Sequence, residues 1–311
     1  MPEGHVIHRL ARAYEEAFAG RVTHSSSPQG RFAEEAGIID GLVLDHAEAV
    51  GKHLFCHFGE HVVQVHLGMA GKTSLHRQDG LVDDVGEEVA TRVDADGGRP
   101  ITGAIRWRLE TEDAWCDLRG PAICALVTDE DRDAVVARLG ADPLSPEADV
   151  EAAWARVRRS SLPIAVLLMD QKVTAGVGNI FRAEVLYRAR MDPMLPGTAV
   201  TRREFEALWD DLVGLMEYAV EHGRIDTVRP EHDPVATGRA PRVDRHGGEV
   251  YVYRRAGAPC HVCGTAVRTQ ELANRNLFWC PTCQPLSRRA GAVAARRLAR
   301  EKARAARLAG G

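Results

Sequence analysis

The sequence predicts an α+β chain of several domains: a strand-rich first part behind a leading helix, a helical middle, and a small metal-stapled hairpin near the C-terminal end. Three observations carry this. Cys260-His261-Val262-Cys263 and Cys280-Pro281-Thr282-Cys283 are two CxxC knuckles with sixteen residues between them, the spacing of a structural zinc site. Before about residue 129, short runs such as Ile105–Leu109 alternate apolar and polar side chains, with glycine at many boundaries, as strands do. From about residue 129 the apolar positions recur at helical spacing.

The elements follow in order. Ile7, Leu10, Tyr14 and Phe18 place a helix over 5–18. The next hundred residues read as strands: Leu42-Val43-Leu44, Leu54–Phe58, Val63 with Val65, and Ile105, Trp107 and Leu109 alternating with Arg106 and Arg108 in the period-two pattern of a half-buried strand. Residues 79–98 hold seven acids against Arg92 alone, a local charge of −6, and are expected as a solvated loop or flexible insertion between strands. Helices are then expected around Ala134, Val135, Arg138 and Leu139, over Leu162–Met169, and over Ile180–Arg190, which Asp192-Pro193 and Leu195-Pro196-Gly197 terminate. Phe205, Leu208, Leu212 and Leu215 mark another. Residues 223–248, rich in Gly, Pro, Arg and Asp, are expected as a long mobile loop. An Ala/Arg-rich tail, 286–311, follows the hairpin, and no internal repeat occurs.

A chain of 311 residues can bury two or more cores, and its 45% hydrophobic content is ordinary for a globular protein. No apolar run approaches a membrane span, and no basic stretch followed by an apolar signal core opens the chain, so a cytoplasmic protein without a membrane partner is expected. Zinc accounts for four of seven cysteines; the odd remainder, Cys56, Cys116 and Cys124, argues against a disulfide framework and suits buried small hydrophobes. The net charge of −4 hides an asymmetry. Residues 251–311 carry twelve Arg or Lys against Glu271 and Glu301, a local +10 that can steer the chain toward phosphates.

Four cysteines close the coordination of zinc, so the metal holds shape and performs no chemistry. Four core thiols or two disulfides are the competing use of these residues. Between the knuckles lie Arg268, Arg275, Phe278 and Trp279, cations and aromatic surface suited to a nucleic-acid finger. At the other end, Met1-Pro2-Glu3-Gly4 leads into the first helix. Loss of Met1 makes Pro2 a free secondary amine, able to attack an electrophilic carbon and form an iminium. An α-amino group titrates near ~8, and the positive end of a helix lowers it further. Glu3 is placed to be a general acid, although Pro and Glu are also common first-turn residues. Gly176-Val177-Gly178-Asn179 precedes a helix, either as an ordinary capped start or as part of a helix–two-turn–helix element that grips a DNA backbone. Taken singly, Lys52 begins a strand and Met69 fills a core. The tail arginines either attract phosphates or are a disordered run of biased composition.

Together these residues resemble the formamidopyrimidine-DNA glycosylase and endonuclease VIII family of base-excision repair enzymes. The resemblance spans nearly the whole chain. It rests on Pro2-Glu3-Gly4, Gly51-Lys52, His66-Leu67-Gly68-Met69, Leu139–Leu144, Asp170-Gln171 with Gly176–Asn179, Val252–Cys260, Arg275, and Cys283-Gln284. It implies an N-terminal catalytic β-sandwich with a flanking helix (1–128), a helix–two-turn–helix DNA-binding domain (129–250), a zinc-finger hairpin (251–285) and a flexible basic tail (286–311). It also implies a bifunctional DNA glycosylase/AP lyase that cuts by β,δ-elimination through a Pro2 Schiff base, with Glu3 protonating the opening sugar. Lys52, Asn179 and Arg275 would hold phosphates, Lys52 and Arg275 counting among the catalytic residues, and Met69 would be a wedge. Cys260, Cys263, Cys280 and Cys283 would hold one structural zinc ion. The partner would be damaged DNA, as duplex, bubble or single strand, met by a monomer associated with the nucleoid.

Two departures bear on specificity. The purine-directed branch carries an Arg-Phe-Gly element with two more wedge side chains, and this chain reads Asp117-Leu118-Arg119-Gly120-Pro121 there. Residues 223–248 also differ from that branch's loop over an oxidised purine. Both favour the endonuclease VIII branch and oxidised pyrimidines. Asn274 stands before Arg275 where many relatives have glycine, which bears on the hairpin tip. The alternatives are a non-catalytic zinc-dependent DNA-binding protein, an oxidised-purine glycosylase, and a small-molecule enzyme that uses an N-terminal proline as base.

Overall fold

Helix α1 (Gly4–Phe18) forms where the apolar spacing predicts it and buries Ile7, Leu10, Tyr14 and Phe18 on one face. The computed structural model describes residues 2–77, 80–85, 101, 103–243 and 248–289, which fall into two units, Met1–Leu139 and Gly140–Gly311. In the first unit, β1 (His24–Ser26), α2 (Ala33–Ile39), β2 (His46–Val50), β3 (His53–Phe58), β4 (His61–His66), β5 (Lys72–Arg77), β6 (Gly80–Val85), β7 (Ile105–Glu110), β8 (Ala114–Arg119), β9 (Ile123–Val127) and α3 (Asp129–Val136) follow. The strands build two antiparallel sheets, ordered β1-β7-β8-β5-β6 and β2-β3-β4-β9. Leu54, Cys56, Val63 and Val65 from one sheet share a core with Leu75, Trp107, Leu109 and Leu118 from the other and with α1. That shared core makes the unit a β-sandwich with a flanking helix.

Four expectations for this unit need correction. The strand-rich reading missed α2, a helix of two turns whose Ala36 and Ile39 reach the core while Glu34 and Glu35 favour its N-terminus. Leu42-Val43-Leu44 makes isolated bridges from Val43 and Leu44 and no strand. The acidic stretch is not all loop, because Gly80–Val85 pairs with β5 as β6; the rest of 79–98 lies outside the described residues. Cys124, expected to be buried, is partly exposed, whereas Cys56 and Cys116 are buried.

Arg108, on the polar side of the β7 alternation, is buried at 5% exposure. It forms a two-pronged ion pair with the fully buried Asp117 of β8, Nε to Oδ1 at 2.6 Å and Nη2 to Oδ2 at 2.8 Å. Arg119 donates to the same carboxylate at 2.8 Å and to Ser74 Oγ at 2.7 Å. A shared carboxylate is what lets two guanidiniums leave water here.

The second unit contains α4 (Val150–Val157), α5 (Ile164–Leu167), α6 (Asn179–Arg188), α7 (Arg202–His222) and the hairpin β10 (Arg268–Leu272) and β11 (Arg275–Trp279). The helix expected over Leu162–Met169 is thus a single turn, α5. Helix α7 opens on a Thr201/Glu204 capping box and ends at Gly223 with φ +68°. Phe181, Val185, Phe205, Leu208, Leu212 and Met216 share a core with Tyr251, Val252, Leu277 and Phe278. The segment expected as a mobile loop contains two short helical turns, Pro230–His232 and Pro234–Thr237. An Arg239–Glu249 ion pair at 2.6 Å holds it, and residues 244–247 lie outside the described residues. The tail is described only through Arg289, which pairs with Glu204.

Removing the carboxylate that Arg108 and Arg119 share should be costly. Asp117→Ala is expected to lower stability by about 3–5 kcal/mol, the cost of breaking a buried ion pair from one side. Urea denaturation measures it, and a loss below about 1 kcal/mol would show that the pair contributes little.

Candidate active site and metal centre

In the first unit the residues expected to be catalytic begin at the start of α1. Glu3 is its N-cap, in extended conformation with φ −114°, and is completely buried. Pro2 before it is half-buried. The carboxyl therefore sits in a low-dielectric environment at the positive end of a fifteen-residue helix, next to Pro2. His5, in the first turn, is also buried, and its pKa is pushed down to about 3 by burial first, then by the amino terminus, Arg9 and His8. It is neutral at physiological pH.

Lys52 lies in the tight turn joining β2 to β3, one residue before the strand it was expected to begin; Gly51 supplies the φ of +61° that this turn requires. Its ammonium acts on His66 at the end of β4, whose pKa is lowered by burial first and then by Lys52. The chain leaves β4 through Leu67-Gly68-Met69 in a bend that needs glycine. A Cβ at Gly68, where φ is +67°, would lie 2.8 Å from the Ala122 Cβ, and one at Gly71 would lie 2.4 Å from the Leu67 carbonyl oxygen. The bend leaves Met69 69% exposed, far from the core role its residue type suggests. Arg119 is the arginine nearest the missing wedge element, and it is turned inward onto Asp117 and Ser74.

In the second unit Asn179 was expected to cap α6. It is instead the first helical residue, and Gly178 is the N-cap. Gln171 braces the turns before it by accepting from Gly176 N at 3.0 Å and donating to Val177 O at 2.9 Å. With the cap position left to glycine, the Asn179 amide reaches the hairpin, donating to Asn276 O at 3.0 Å. Arg182, fully buried, donates to the same carbonyl at 3.1 Å and to Asn179 Oδ1. Asn179 is thereby tied to the strand that Arg275 opens. Arg275 itself is exposed, just after Ala273 and Asn274, both at positive φ (51° and 60°). Asparagine tolerates that conformation, so the tip keeps a tight two-residue turn without glycine. Sequence reasoning missed Arg182 and Glu184, two charges within an otherwise buried helix; their place in an apolar run was the available signal.

The four cysteine sulfurs lie within 4.8 Å of one another. Cys260 and Cys283 are 3.8 Å apart and Cys263 and Cys280 3.5 Å, matching the edge of about 3.8 Å that tetrahedral zinc–sulfur bonds of about 2.3 Å require. Knuckle geometry supports the set, since Cys283 N donates to Cys280 Sγ at 3.4 Å. The residues fit one structural zinc ion.

Comparisons with known proteins agree with this architecture. The profile of the formamidopyrimidine-DNA glycosylase N-terminal domain matches residues 1–119, that of the formamidopyrimidine-DNA glycosylase H2TH domain matches 139–229, and that of the zinc finger found in FPG and IleRS matches 257–286. The chain is 47% identical to an endonuclease 8 of Mycobacterium tuberculosis over 285 residues, 91% of this chain and all of the relative. It is 31% identical to a formamidopyrimidine-DNA glycosylase of Thermomicrobium roseum over 77% of this chain and 81% of the relative. Among solved structures, the Lactococcus lactis Fpg in complex with oxidised-pyrimidine DNA superposes with a TM-score of 0.70 at 19% identity, covering 92% of this chain and 100% of that one. At that identity the likeness speaks for the fold.

The metal and the exposed arginine should separate experimentally. Structural zinc contributes on the order of 10–16 kcal/mol to isolated fingers, enough to decide whether so short a hairpin folds. Cys280→Ser is expected to lose zinc and the hairpin while the first unit stays folded, and Arg275→Ala to keep one zinc per chain. Metal analysis beside circular dichroism reads both; full zinc occupancy in Cys280→Ser would contradict the assignment.

Proposed function

Because this chain belongs to the formamidopyrimidine-DNA glycosylase and endonuclease VIII family, on its endonuclease VIII branch, we propose that it removes oxidised pyrimidines through a covalent intermediate on Pro2. It is a DNA glycosylase and AP lyase of base-excision repair that binds damaged DNA and carries one structural zinc. The observation that carries the proposed chemistry is the buried Glu3 carboxyl beside Pro2 at the positive end of α1. Loss of Met1 leaves Pro2 as a secondary amine. Its lone pair attacks C1′ of the damaged nucleotide, the base departs with the bonding electrons, and the ammonium proton left on the Pro2 nitrogen passes to the departing base. Glu3 protonates the ring oxygen as the sugar opens, leaving an iminium between C1′ and the Pro2 nitrogen. The iminium acidifies the C2′ proton, whose loss expels the 3′ phosphate by β-elimination; loss of the C4′ proton, acidified through the new double bond, then expels the 5′ phosphate by δ-elimination.

A base inside the duplex hides C1′, so the nucleotide must flip out, at a cost of a few kcal/mol. In this reading Lys52, Asn179 and Arg275 hold the phosphates around the lesion and Met69 fills the vacated stack, offsetting that cost. The exposure of Met69 and the inward turn of Arg119 support a single wedge. With less compensation for unstacking, substrates already unpaired gain an advantage, so bubbles and single strands join duplex as substrates. The enzyme acts as a monomer at the nucleoid; among the described residues no helix is long and apolar enough to cross a membrane.

Borohydride should trap a covalent complex between the protein and damaged DNA, with the adduct on Pro2 by mass spectrometry. Blocking the terminal amine should abolish it, because an amide nitrogen is not nucleophilic. Equal trapping by N-acetylated protein sinks the proposed nucleophile, and DNA binding without any trapping would favour a non-catalytic protein.

Excision of one oxidised pyrimidine in duplex, bubble and single-stranded DNA, beside an oxidised guanine paired with cytosine, tests the substrate. The pyrimidine is expected to be preferred, with weak dependence on the opposite base and appreciable activity on unpaired DNA. Strong preference for the purine lesion in intact duplex would assign the enzyme to oxidised purines instead.

A further inference from the structure

We propose that Tyr187 is an outer-shell partner of the zinc, donating a hydrogen bond to the Cys260 sulfur that sets how tightly the metal is held. Tyr187 lies near the end of α6 and is 4% exposed. Its hydroxyl is 3.0 Å from Cys260 Sγ and 3.7 Å from Cys283 Sγ. A zinc-bound cysteine is a thiolate with no proton, so the sulfur can only accept and the phenol must be the donor. One hydroxyl carries one proton, so the shorter contact to Cys260 takes most of it, and Cys283 is a weaker second acceptor.

The ring is held in place for this role. It stacks on Tyr251, with centroids 4.4 Å apart and an interplanar angle of 27°. The Tyr251 hydroxyl in turn accepts from Arg229 N at 2.9 Å and meets His232 Nδ1 at 2.9 Å. Four thiolates around a divalent ion leave a net charge of −2 in a half-buried site, and a fixed donor draws charge off the sulfur and stabilises the metal-bound form. Tyr187 is a positioning residue that acts through Cys260. It ties the metal to the same helix that carries Asn179.

The test uses the full-length zinc protein and does not depend on glycosylase activity, so it can fail while the proposed function stands. Tyr187→Phe keeps the buried ring and its stack and removes one hydroxyl. Tyr251→Phe removes a hydroxyl from the other ring of the stack, one that touches no sulfur. In competition with a chelator, Tyr187→Phe is expected to bind zinc about 10–100-fold more weakly, the usual effect of losing an outer-shell partner, and Tyr251→Phe to match the unsubstituted protein. In the cobalt-loaded proteins the thiolate-to-metal charge-transfer band should move to lower energy in Tyr187→Phe alone, since the sulfur lone pairs lose a hydrogen bond. Unchanged affinity and band in Tyr187→Phe overturn the proposal, as does an equal loss in Tyr251→Phe, which would assign the effect to the aromatic stack.

Discussion

The Glu184 carboxylate, fully buried in α6, accepts hydrogen bonds from the backbone N–H groups of Tyr251, Val252 and Tyr253 at 2.7–2.9 Å, and this clasp fixes where the chain enters the zinc hairpin. A fourth bond comes from the Thr227 hydroxyl. An ionised carboxylate inside a protein is tolerated only when its lone pairs are met, so the arrangement has little freedom to drift. Arg182, two residues earlier, does the same for the far end of the finger by holding Asn276 O. Helix α6 therefore grips the entry to the metal-binding segment and the region of its hairpin tip with opposite charges, and Tyr187 on the same helix reaches the sulfur of Cys260.

The first unit solves a different problem, fixing side chains through the burial of one helix and through tight bends. Glu3 is held by the burial of α1 against the sheets, and Met69 by a bend whose glycines leave no room for a Cβ. Asp117 gathers Arg108 and Arg119 into one buried cluster. The same cluster that joins β7 and β8 also turns Arg119 inward, onto Asp117 and Ser74.

What the sequence determined alone was what depends on near neighbours or on fixed chemistry. The CxxC pairs announce their metal because two knuckles at that spacing bring four thiolates to one point. Helices α1 and α7 are legible because a single apolar stripe sets their period, β7 because its period is two, and β3 and β4 because their apolar residues are strand-like. Pro2, Glu3, Lys52, Met69, Asn179 and Arg275 could be singled out by type and motif, but not by what each one touches.

The tertiary structure decided everything whose partner is far along the chain. Helix α2 is too short for its period to register, and the strand β6 is visible only beside β5. Arg108 reads as a solvent residue until Asp117 is placed opposite it across the β7–β8 pair. Asn179 reads as a cap, yet its amide donates to Asn276 O, ninety-seven residues away. Arg182 and Glu184 look like interruptions of an apolar helix, because the groups that satisfy them lie 94 and 67–69 residues on. Local periodicity reports only which side of an element faces the core. A buried charge is tolerable only if a partner arrives from elsewhere in the fold, and a sequence window cannot contain it.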